Sequence, residues 1–263
     1  MSEVQKEASV NTNGSAAKAW LRALERTAPI PRNPNRIMST VIGELAARLG
    51  DAPALLSDRE CLTYRALAER SNQYARWALA QGLAKGDVVC LLMTNRPEYF
   101  AIWLGITSVG GVVALLNTNL VGPSLAHCIN IVSPKHLIVA GEFVDPLTTA
   151  LPNLAASPTI WAHGIEHASF RRIDVDINDL SGDVLDLDEQ RSPTIQDRAL
   201  YIFTSGTTGL PKAANISHAR VLQWSYWFAG MMGVQSTDRM YNCLPMYHSV
   251  GGVLVPGATL VGG

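Results

Sequence analysis

A run of small and hydroxylated residues from 204 to 212, "TSGTTGLPK", is the stretch best suited to chemistry. Its hydroxyl, glycine and lysine residues are Thr204, Ser205, Gly206, Thr207, Thr208, Gly209 and Lys212. Hydroxyl groups donate hydrogen bonds, and glycines let a backbone approach a ligand closely. Successive backbone amides in such a turn point into one concavity that suits an anion. Because the lysine adds a positive charge, the run predicts a phosphate-binding loop.

The spacing of this loop is G-x-x-G-x-x-K, which fits neither the Walker A pattern nor G-x-G-x-x-G. A plain Ser/Thr/Gly surface turn is the alternative interpretation, and "SGTTG" alone would leave it open. The full run, however, follows "ALYIF" (199–203), a predicted buried strand, and precedes what we predict to be a helix start. Open α/β sheets bind ligands at the carboxyl ends of strands, so this placement favours a ligand site.

Apolar runs alternate with helical patterns along the rest of the chain. Strands are predicted at "VVCLLM" (88–93), "GVVALLN", "HLIVAG" and "RMYNCLP", with another inner strand beginning at Ala258. Helices are predicted at 64–81 with Thr63 as the cap, after Pro97, at "PSLAHCINIV" and at "ARVLQWSYWFAGMM". The alternation predicts an α/β fold with parallel-sheet layers flanked by helices.

The composition excludes several classes of protein. The 263 residues include 48% hydrophobic and 16% charged side chains, and the formal net charge of −1 favours neither nucleic acid nor an anionic membrane. The N-terminus has no hydrophobic signal region, and we expect residues 1–15 to be a disordered tail. No C-x-x-C pair is present, and the apolar run 99–126 is divided by Gly110 and Gly111. We therefore expect a cytoplasmic protein without a transmembrane segment.

Two weak metal patterns are set aside on their spacing and context. "HGIEH" (163–167) formally matches H-x-x-E-H, but it follows a predicted strand and is not helical. "DVDIND" (174–179) begins like a calcium loop, yet Asp179 replaces the turn glycine and Leu185 the chelating glutamate. The acidic stretch 174–189 is instead predicted to be a surface loop between two layers of the fold.

At two places the chain resembles the acyl-adenylate-forming enzymes, the AMP-dependent synthetase/ligase superfamily. "YIFTSGTTGLPKAA" resembles their phosphate-binding signature, and "LPMYHSVGG" (244–252) resembles a second signature that ends in a histidine beside the acyl pocket. The sequences "PKAA" and "YHSVGG" are most similar to the very-long-chain acyl-CoA synthetase and fatty acid transport protein branch. The resemblance covers residues 38 to 263.

The resemblance implies ATP, Mg²⁺ and CoA as partners of a carboxylic acid substrate such as a fatty acid. The acid would be activated as acyl-AMP and then transferred to CoA. Tyr247, His248 and Ser249 become candidates for the acyl pocket, although His248 could simply begin a helix after Pro245. Thr207 or Thr208 becomes a candidate contact to Mg²⁺, and no side chain is assigned a catalytic role. His218 is expected to cap or pack at the helix that follows the loop.

The resemblance also implies parts that 263 residues cannot hold: an adenine-binding segment, a glutamate for Mg²⁺, a hinge and a small C-terminal domain with a catalytic lysine. We therefore expect residues 16–263 to be the N-terminal part of an adenylate-forming domain. Alone it should be inactive, because the glutamate for Mg²⁺ and the catalytic lysine are missing. It should also be prone to self-association, because a strand at Ala258 would leave an unpaired edge and the surface meant for the missing segments would expose apolar area.

Two alternatives stay open at this point: a non-catalytic phosphate- or acyl-binding module, and an adenylation domain of the peptide-synthetase type. Peripheral membrane contact also stays open.

Overall fold

The computed structural model describes residues 15–204 and 209–263. The strands are β1 Pro53–Leu56, β2 Cys61–Thr63, β3 Val88–Leu92, β4 Val112–Leu115, β5 His136–Ala140, β6 Thr159–His163, β7 Arg171–Arg172, β8 Arg198–Thr204 and β9 Lys212–Ser217. The α-helices are α1 Ala16–Thr27, α2 Met38–Leu49, α3 Tyr64–Ala80, α4 Pro97–Ser108, α5 Gly122–Val132, α6 Val144–Ala150, α7 Ile173–Asp176, α8 His218–Met232 and α9 Val255–Gly262. Residues 1–14, most of the predicted tail, and the loop residues 205–208 lie outside the described residues.

One large sheet has the strand order β7-β6-β5-β3-β4-β8-β9. All neighbouring strands are parallel except β8 and β9, which form an antiparallel pair. β1 and β2 pair separately as a small antiparallel ribbon. The predicted α/β class is therefore confirmed, with a mainly parallel sheet flanked by helices.

The central strand β3 is buried along its whole length, and its side chains alternate between two cores. Val89 and Leu91 pack with residues of α2, α3 and α4 on one face of the sheet. Val88, Cys90 and Leu92 pack with residues of α5 and α6 on the other face. Helices covering both faces explain why this strand is a continuous apolar run rather than an alternating one.

The uncharged stretch beginning at Tyr99 forms a buried helix followed by a buried strand, as predicted. Every residue of α4 from Pro97 to Thr107 is buried, and β4 follows it into the centre of the sheet. Within residues 15–204 and 209–263, no helix is long and apolar enough to cross a membrane. Thr63 caps α3 as predicted, because its hydroxyl accepts a hydrogen bond of 3.1 Å from the backbone N–H of Ala66.

The segment after the glycine-rich run differs from the prediction. Residues 212–217 form strand β9, which pairs with β8 so that Lys212 lies opposite Thr204 and Ser217 opposite Arg198. The helix begins only at His218. The predicted strand-loop-helix is therefore a hairpin. The reason is that β8 would otherwise expose its outer backbone N–H and C=O groups, and the returning chain satisfies them.

Two further strand predictions are wrong. Residues 239–243 have no regular structure, and Tyr241 is 90% exposed. Ala258 lies in α9, not in an inner strand, and α9 follows a π-helical turn from Val250 to Leu254. An uncharged apolar run fits a buried helix as well as a buried strand. Packing decides it here, because the Tyr64 hydroxyl donates a buried hydrogen bond of 2.9 Å to the carbonyl of Leu260. The open edge that motivated self-association is therefore absent at Ala258.

The acidic stretch 174–189 begins with helical turns, α7 and a 3₁₀ turn at Ile177–Asp179, rather than as a loop. Its later part lies along α3, where Arg76 anchors it. The guanidinium donates hydrogen bonds of 2.7 Å to the carbonyls of Ser181 and Asp183 and forms an ion pair of 2.8 Å with Glu189. Arginine contacts therefore hold this surface segment to the helical layer.

His218 packs at the start of α8, as expected, with only 1% of its surface exposed. Neither ring nitrogen has a hydrogen-bond partner among the described residues. Burial lowers the pKa of His218 from 6.5 to about 4; the Asp197 carboxylate opposes this shift and the Lys85 ammonium adds to it. The folded state therefore disfavours the protonated ring, whereas the unfolded state accepts the proton near pH 6.5.

We predict that His218 makes the chain less stable as the pH falls from about 6.5 towards 4. Stability falls because the unfolded state binds more protons than the folded state over this range. The pKa shift corresponds to a decrease on the order of 3 kcal/mol in the free energy of unfolding at the acidic end. Urea unfolding at a series of pH values would measure it. His218→Phe should flatten this part of the profile, while His248→Gln at an exposed position should not. Parallel profiles for wild type and His218→Phe would contradict the prediction.

Candidate functional site

Three neighbouring parallel strands end at the same edge of the sheet. β3 is followed by Asn95, β4 by Asn119, and β8 ends at Thr204. In the strand order these three strands are adjacent, so the loops that leave them lie side by side. This carboxyl edge is where open α/β sheets bind ligands.

The described ends of the glycine-rich loop lie at this edge. Thr204 and Lys212 are exposed and directly opposite each other in the β8–β9 pair, so Lys212 begins a strand and is not a loop residue. Gly209 has a φ of +96°, a conformation that favours glycine. The other predicted loop residues, Ser205, Gly206, Thr207 and Thr208, lie outside the described residues.

His127 of α5 fixes the exit of this loop. Its Nε2 atom lies 3.0 Å from the carbonyl oxygen of Pro211, and because a carbonyl only accepts, Nε2 must carry the proton. The contact joins residues 84 positions apart. Sequence reasoning missed His127, since no spacing pattern connects it with the loop.

The three acyl-pocket candidates lie next to each other at the same edge but in different environments. Tyr247 is 6% exposed, and its hydroxyl accepts a hydrogen bond of 3.0 Å from the Asn119 side chain. His248 is exposed, and its ring centroid lies 4.5 Å from that of Tyr247. Ser249 is half-buried and immediately precedes the π-helical turn. Tyr247 thus belongs to the core of the α2–α4 layer, while His248 faces outwards.

A second side-chain amide holds this segment. The Asn95 Nδ2 atom donates a hydrogen bond of 2.8 Å to the carbonyl of Leu244, and Oδ1 accepts one of 2.8 Å from the backbone N–H of Met246. Both bonds span about 150 positions of sequence, at separations of 149 and 151. Asn95 was not among the predicted site residues, although it lies two positions after the predicted strand "VVCLLM".

The residues on both sides of Asn95 are held by a carboxylate. The Thr94 hydroxyl donates a hydrogen bond of 2.7 Å to Glu142 Oε1, and the Arg96 guanidinium forms an ion pair with the same oxygen. Burial raises the pKa of Glu142, but the Thr94 hydrogen bond, a backbone hydrogen bond and the Arg96 charge together outweigh it and hold the pKa below its ordinary value. Glu142 therefore stays ionised and fixes the turn that carries Asn95.

The glycines of "YHSVGG" are required by close backbone contacts. A Cβ atom on Gly251 would lie 2.4 Å from the carbonyl oxygen of Pro245, and one on Gly252 would lie 1.9 Å from that of Met246. The Asn242 side chain also donates a hydrogen bond of 2.8 Å to the carbonyl of Gly251. Residues 242–252 are therefore a compact unit, which we call the Tyr247 segment.

The "HGIEH" pattern does not have the geometry of a zinc site. His163 ends β6, and Gly164 has a φ of +78°, so the two histidines do not lie on one helix. His163 Nε2 is 3.7 Å from Glu98 Oε1, which also accepts hydrogen bonds from Arg70 and Tyr74. His167 stacks on Phe170 at 4.0 Å. These side chains serve the packing of β6 and its loop.

Comparison with known proteins agrees with this geometry. Residues 43–263 match the family model described as AMP-binding enzyme. Long-chain fatty acid transport protein 6 of Mus musculus is 38% identical over 220 residues, which are 79% of this chain and 35% of that protein. The medium/long-chain-fatty-acid–CoA ligase FadD6 of Mycobacterium tuberculosis is 32% identical over 237 residues, 87% of this chain and 38% of that protein.

The fold is similar to that of solved ligases. The anthranilate CoA ligase AuaEII, solved in complex with anthranoyl-AMP, superposes with a TM-score of 0.79 at 20% identity, over 89% of this chain and 45% of that one. The chain thus spans somewhat more than a third of the length of the two relatives above, at 35% and 38%. With a family match across nearly all of the described residues, the chain belongs to the AMP-binding enzyme family.

Proposed function

We propose that this chain is part of an ATP-dependent acyl-CoA ligase that activates a fatty acid as acyl-AMP and transfers the acyl group to CoA. One observation carries the proposal. The ends of the glycine-rich loop and the Tyr247 segment lie at the carboxyl ends of the adjacent strands β8, β4 and β3. A phosphate-binding loop beside a wall of Tyr247 and His248 would hold the two reactants of adenylation next to each other.

The first step requires no protein nucleophile. A carboxylate oxygen of the acid attacks the α-phosphorus of ATP, the bond to the bridging oxygen breaks, and pyrophosphate leaves with its electron pair. The protein's task is to stabilise charge on the phosphate groups. Lys212 and the hydroxyls of Thr204, Ser205, Thr207 and Thr208 are the proposed donors, with Gly206 and Gly209 allowing the backbone to approach.

In the second step the CoA thiol loses its proton to solvent, its thiolate attacks the acyl carbonyl to form the thioester bond, and AMP leaves with the electrons of the broken mixed-anhydride bond. Tyr247, His248 and Ser249 are proposed to line the acyl side of the site. A fatty acid is the proposed substrate because the relatives named above are a fatty acid transport protein and a medium/long-chain-fatty-acid–CoA ligase. CoA is proposed on the same ground.

Magnesium is proposed only as an ion bound to the ATP phosphates. Mg²⁺ in nucleotide sites usually takes one or two carboxylates besides phosphate oxygens. Within the parts of the chain that the structure describes, no group of three or more histidine, cysteine or acidic side chains could hold a metal ion. The described residues therefore do not supply a metal site by themselves, and Thr207 or Thr208 remains the proposed contact. A cytoplasmic location, peripheral membrane contact and self-association also remain predictions.

The complete ligase that contains this chain should catalyse pyrophosphate exchange into ATP that depends on a fatty acid. A panel of acids from aryl to long-chain would be tested, first without and then with CoA. Exchange with fatty acids and thioester formation on adding CoA are expected. Exchange with amino acids only would favour a peptide-synthetase type of enzyme, and no exchange with any acid would favour a non-catalytic binding module. The 263-residue chain alone is expected to be inactive.

Lys212→Ala in that ligase should reduce the acid-dependent exchange rate by about 10²-fold, the scale of losing one charge-stabilising group in a transition state. Folding should change little, because Lys212 is exposed at the first position of β9. The matched control is Lys18→Ala on the exposed face of α1. Normal turnover of Lys212→Ala would remove this lysine from the site, and thermal unfolding would show whether either variant is destabilised.

A further inference from the structure

We propose that Asn95 is a positioning residue for the acyl side of the site: it sets the position of the Tyr247 segment relative to the sheet and thereby the affinity for the acid. The inference rests on the proposed function, because it assigns a consequence to the same site. Asn95 itself is not proposed to touch the reacting atoms. It acts through the backbone of Leu244 and Met246, which its side chain contacts directly.

The geometry of these contacts is specific to a side-chain amide. One end of the amide must donate to the Leu244 carbonyl, and the other must accept from the Met246 N–H. The amide of asparagine or glutamine carries a donor and an acceptor on adjacent atoms of one planar group, and asparagine has the shorter reach. The two bonds therefore fix the segment in both position and orientation, as a single bond could not.

Asn95 is held in place before any ligand binds. Thr94 and Arg96 both contact the Glu142 carboxylate at the end of β5, so the residues on either side of Asn95 are fastened to a neighbouring strand. A binding group supported in this way keeps its geometry without a further loss of conformational freedom. The turn "TNR" thus has flanking residues that anchor it and a central residue that anchors the Tyr247 segment.

The Tyr247 segment transmits the position of Leu244 and Met246 to the candidate acyl wall. Gly251 and Gly252 lie against the carbonyls of residues 244–246, and Asn242 contacts Gly251, so the segment should move as one unit. Tyr247 is the residue that follows Met246, and its hydroxyl has its own contact with Asn119. A shift at Leu244 and Met246 would therefore displace Tyr247 and His248 with them.

Exposure favours a role in function over a role in folding. Asn95 is exposed, its bond with Leu244 is exposed and its bond with Met246 is half-buried, and such hydrogen bonds make only a modest net contribution to stability. The apolar contacts of Met246 and Tyr247 with the α2–α4 layer should keep the segment folded when Asn95 is replaced. What the replacement changes is the exact position of the segment, to which acid affinity is sensitive.

The chain contains a matched control for this arrangement. Asn130 of α5 donates a hydrogen bond of 2.9 Å to the carbonyl of Asn153, and its Oδ1 accepts one of 2.8 Å from the N–H of Ala155. The same residue type therefore makes the same pair of bonds to a different loop. Replacing Asn130 removes equivalent hydrogen bonds without touching the Tyr247 segment.

The test compares Asn95→Ala, Asn95→Asp and Asn130→Asp in the complete ligase. Asn95→Asp keeps the acceptor for the Met246 N–H. It loses the bond to the Leu244 carbonyl, because a carboxylate oxygen there has no proton to donate. Both Asn95 variants should raise the KM for the fatty acid about tenfold, equivalent to about 1.4 kcal/mol, with the KM for ATP unchanged. Asn130→Asp should leave both KM values unchanged, and amide hydrogen exchange should accelerate at residues 244 and 246–248 only in the Asn95 variants.

An unchanged KM for the acid in both Asn95 variants would overturn the inference. An equal rise in the KM for ATP would also overturn it, since that result indicates a general loss of structure. Failure of the proposed function is distinguishable, because the wild-type ligase would then show no acid-dependent exchange at all. In that event, unaltered hydrogen exchange at residues 244 and 246–248 in Asn95→Ala would still refute the positioning role.

Discussion

Burial of β3 on both faces is the constraint on which the rest of this structure depends. The backbone N–H and C=O groups of a strand that is buried on both faces cannot bond to water, so they must pair with neighbouring strands on both edges. β4 and β5 provide that pairing, both in parallel, and the helices α2–α4 and α5–α6 cover the two faces. Parallel pairing then makes every central strand end at the same edge, and the candidate site lies at this edge.

The site itself is arranged by polar contacts that the apolar core does not specify. The core determines where β3, β4 and β8 end, but Asn95 and Asn119 determine where the Tyr247 segment lies over them. Glu142 supports the first of these, and His127 holds the exit of the glycine-rich loop. The contacts join residues that are far apart in the chain, so the candidate site is assembled only by folding.

The differences at Ala258 and at β9 both come from tertiary contacts. A run of apolar residues indicates burial, but burial alone does not distinguish a strand from a helix when the run is short and uncharged. The run containing Ala258 is helical because α9 packs against α8 and Tyr64, a fact of tertiary contact. Likewise β9 forms because β8 has an edge that needs a partner, and the sequence "KAANIS" has no alternating pattern that would predict a strand by itself.

The amino-acid sequence alone determined the α/β class, the inner strands β3, β4, β5 and β8, the helices α3, α4, α5 and α8, and the residues of the glycine-rich run and of "LPMYHSVGG". These follow from local properties: continuous apolar runs, helix caps, glycine and hydroxyl side chains at fixed spacing. Only the tertiary structure decided that Lys212 begins a strand, that Ala258 lies in a helix, and that Tyr247 is buried beside an exposed His248. The contacts of Asn95, Asn119 and His127 were also decided only by the fold, because a hydrogen bond between residues 84 to 151 positions apart leaves no periodic trace in the chain.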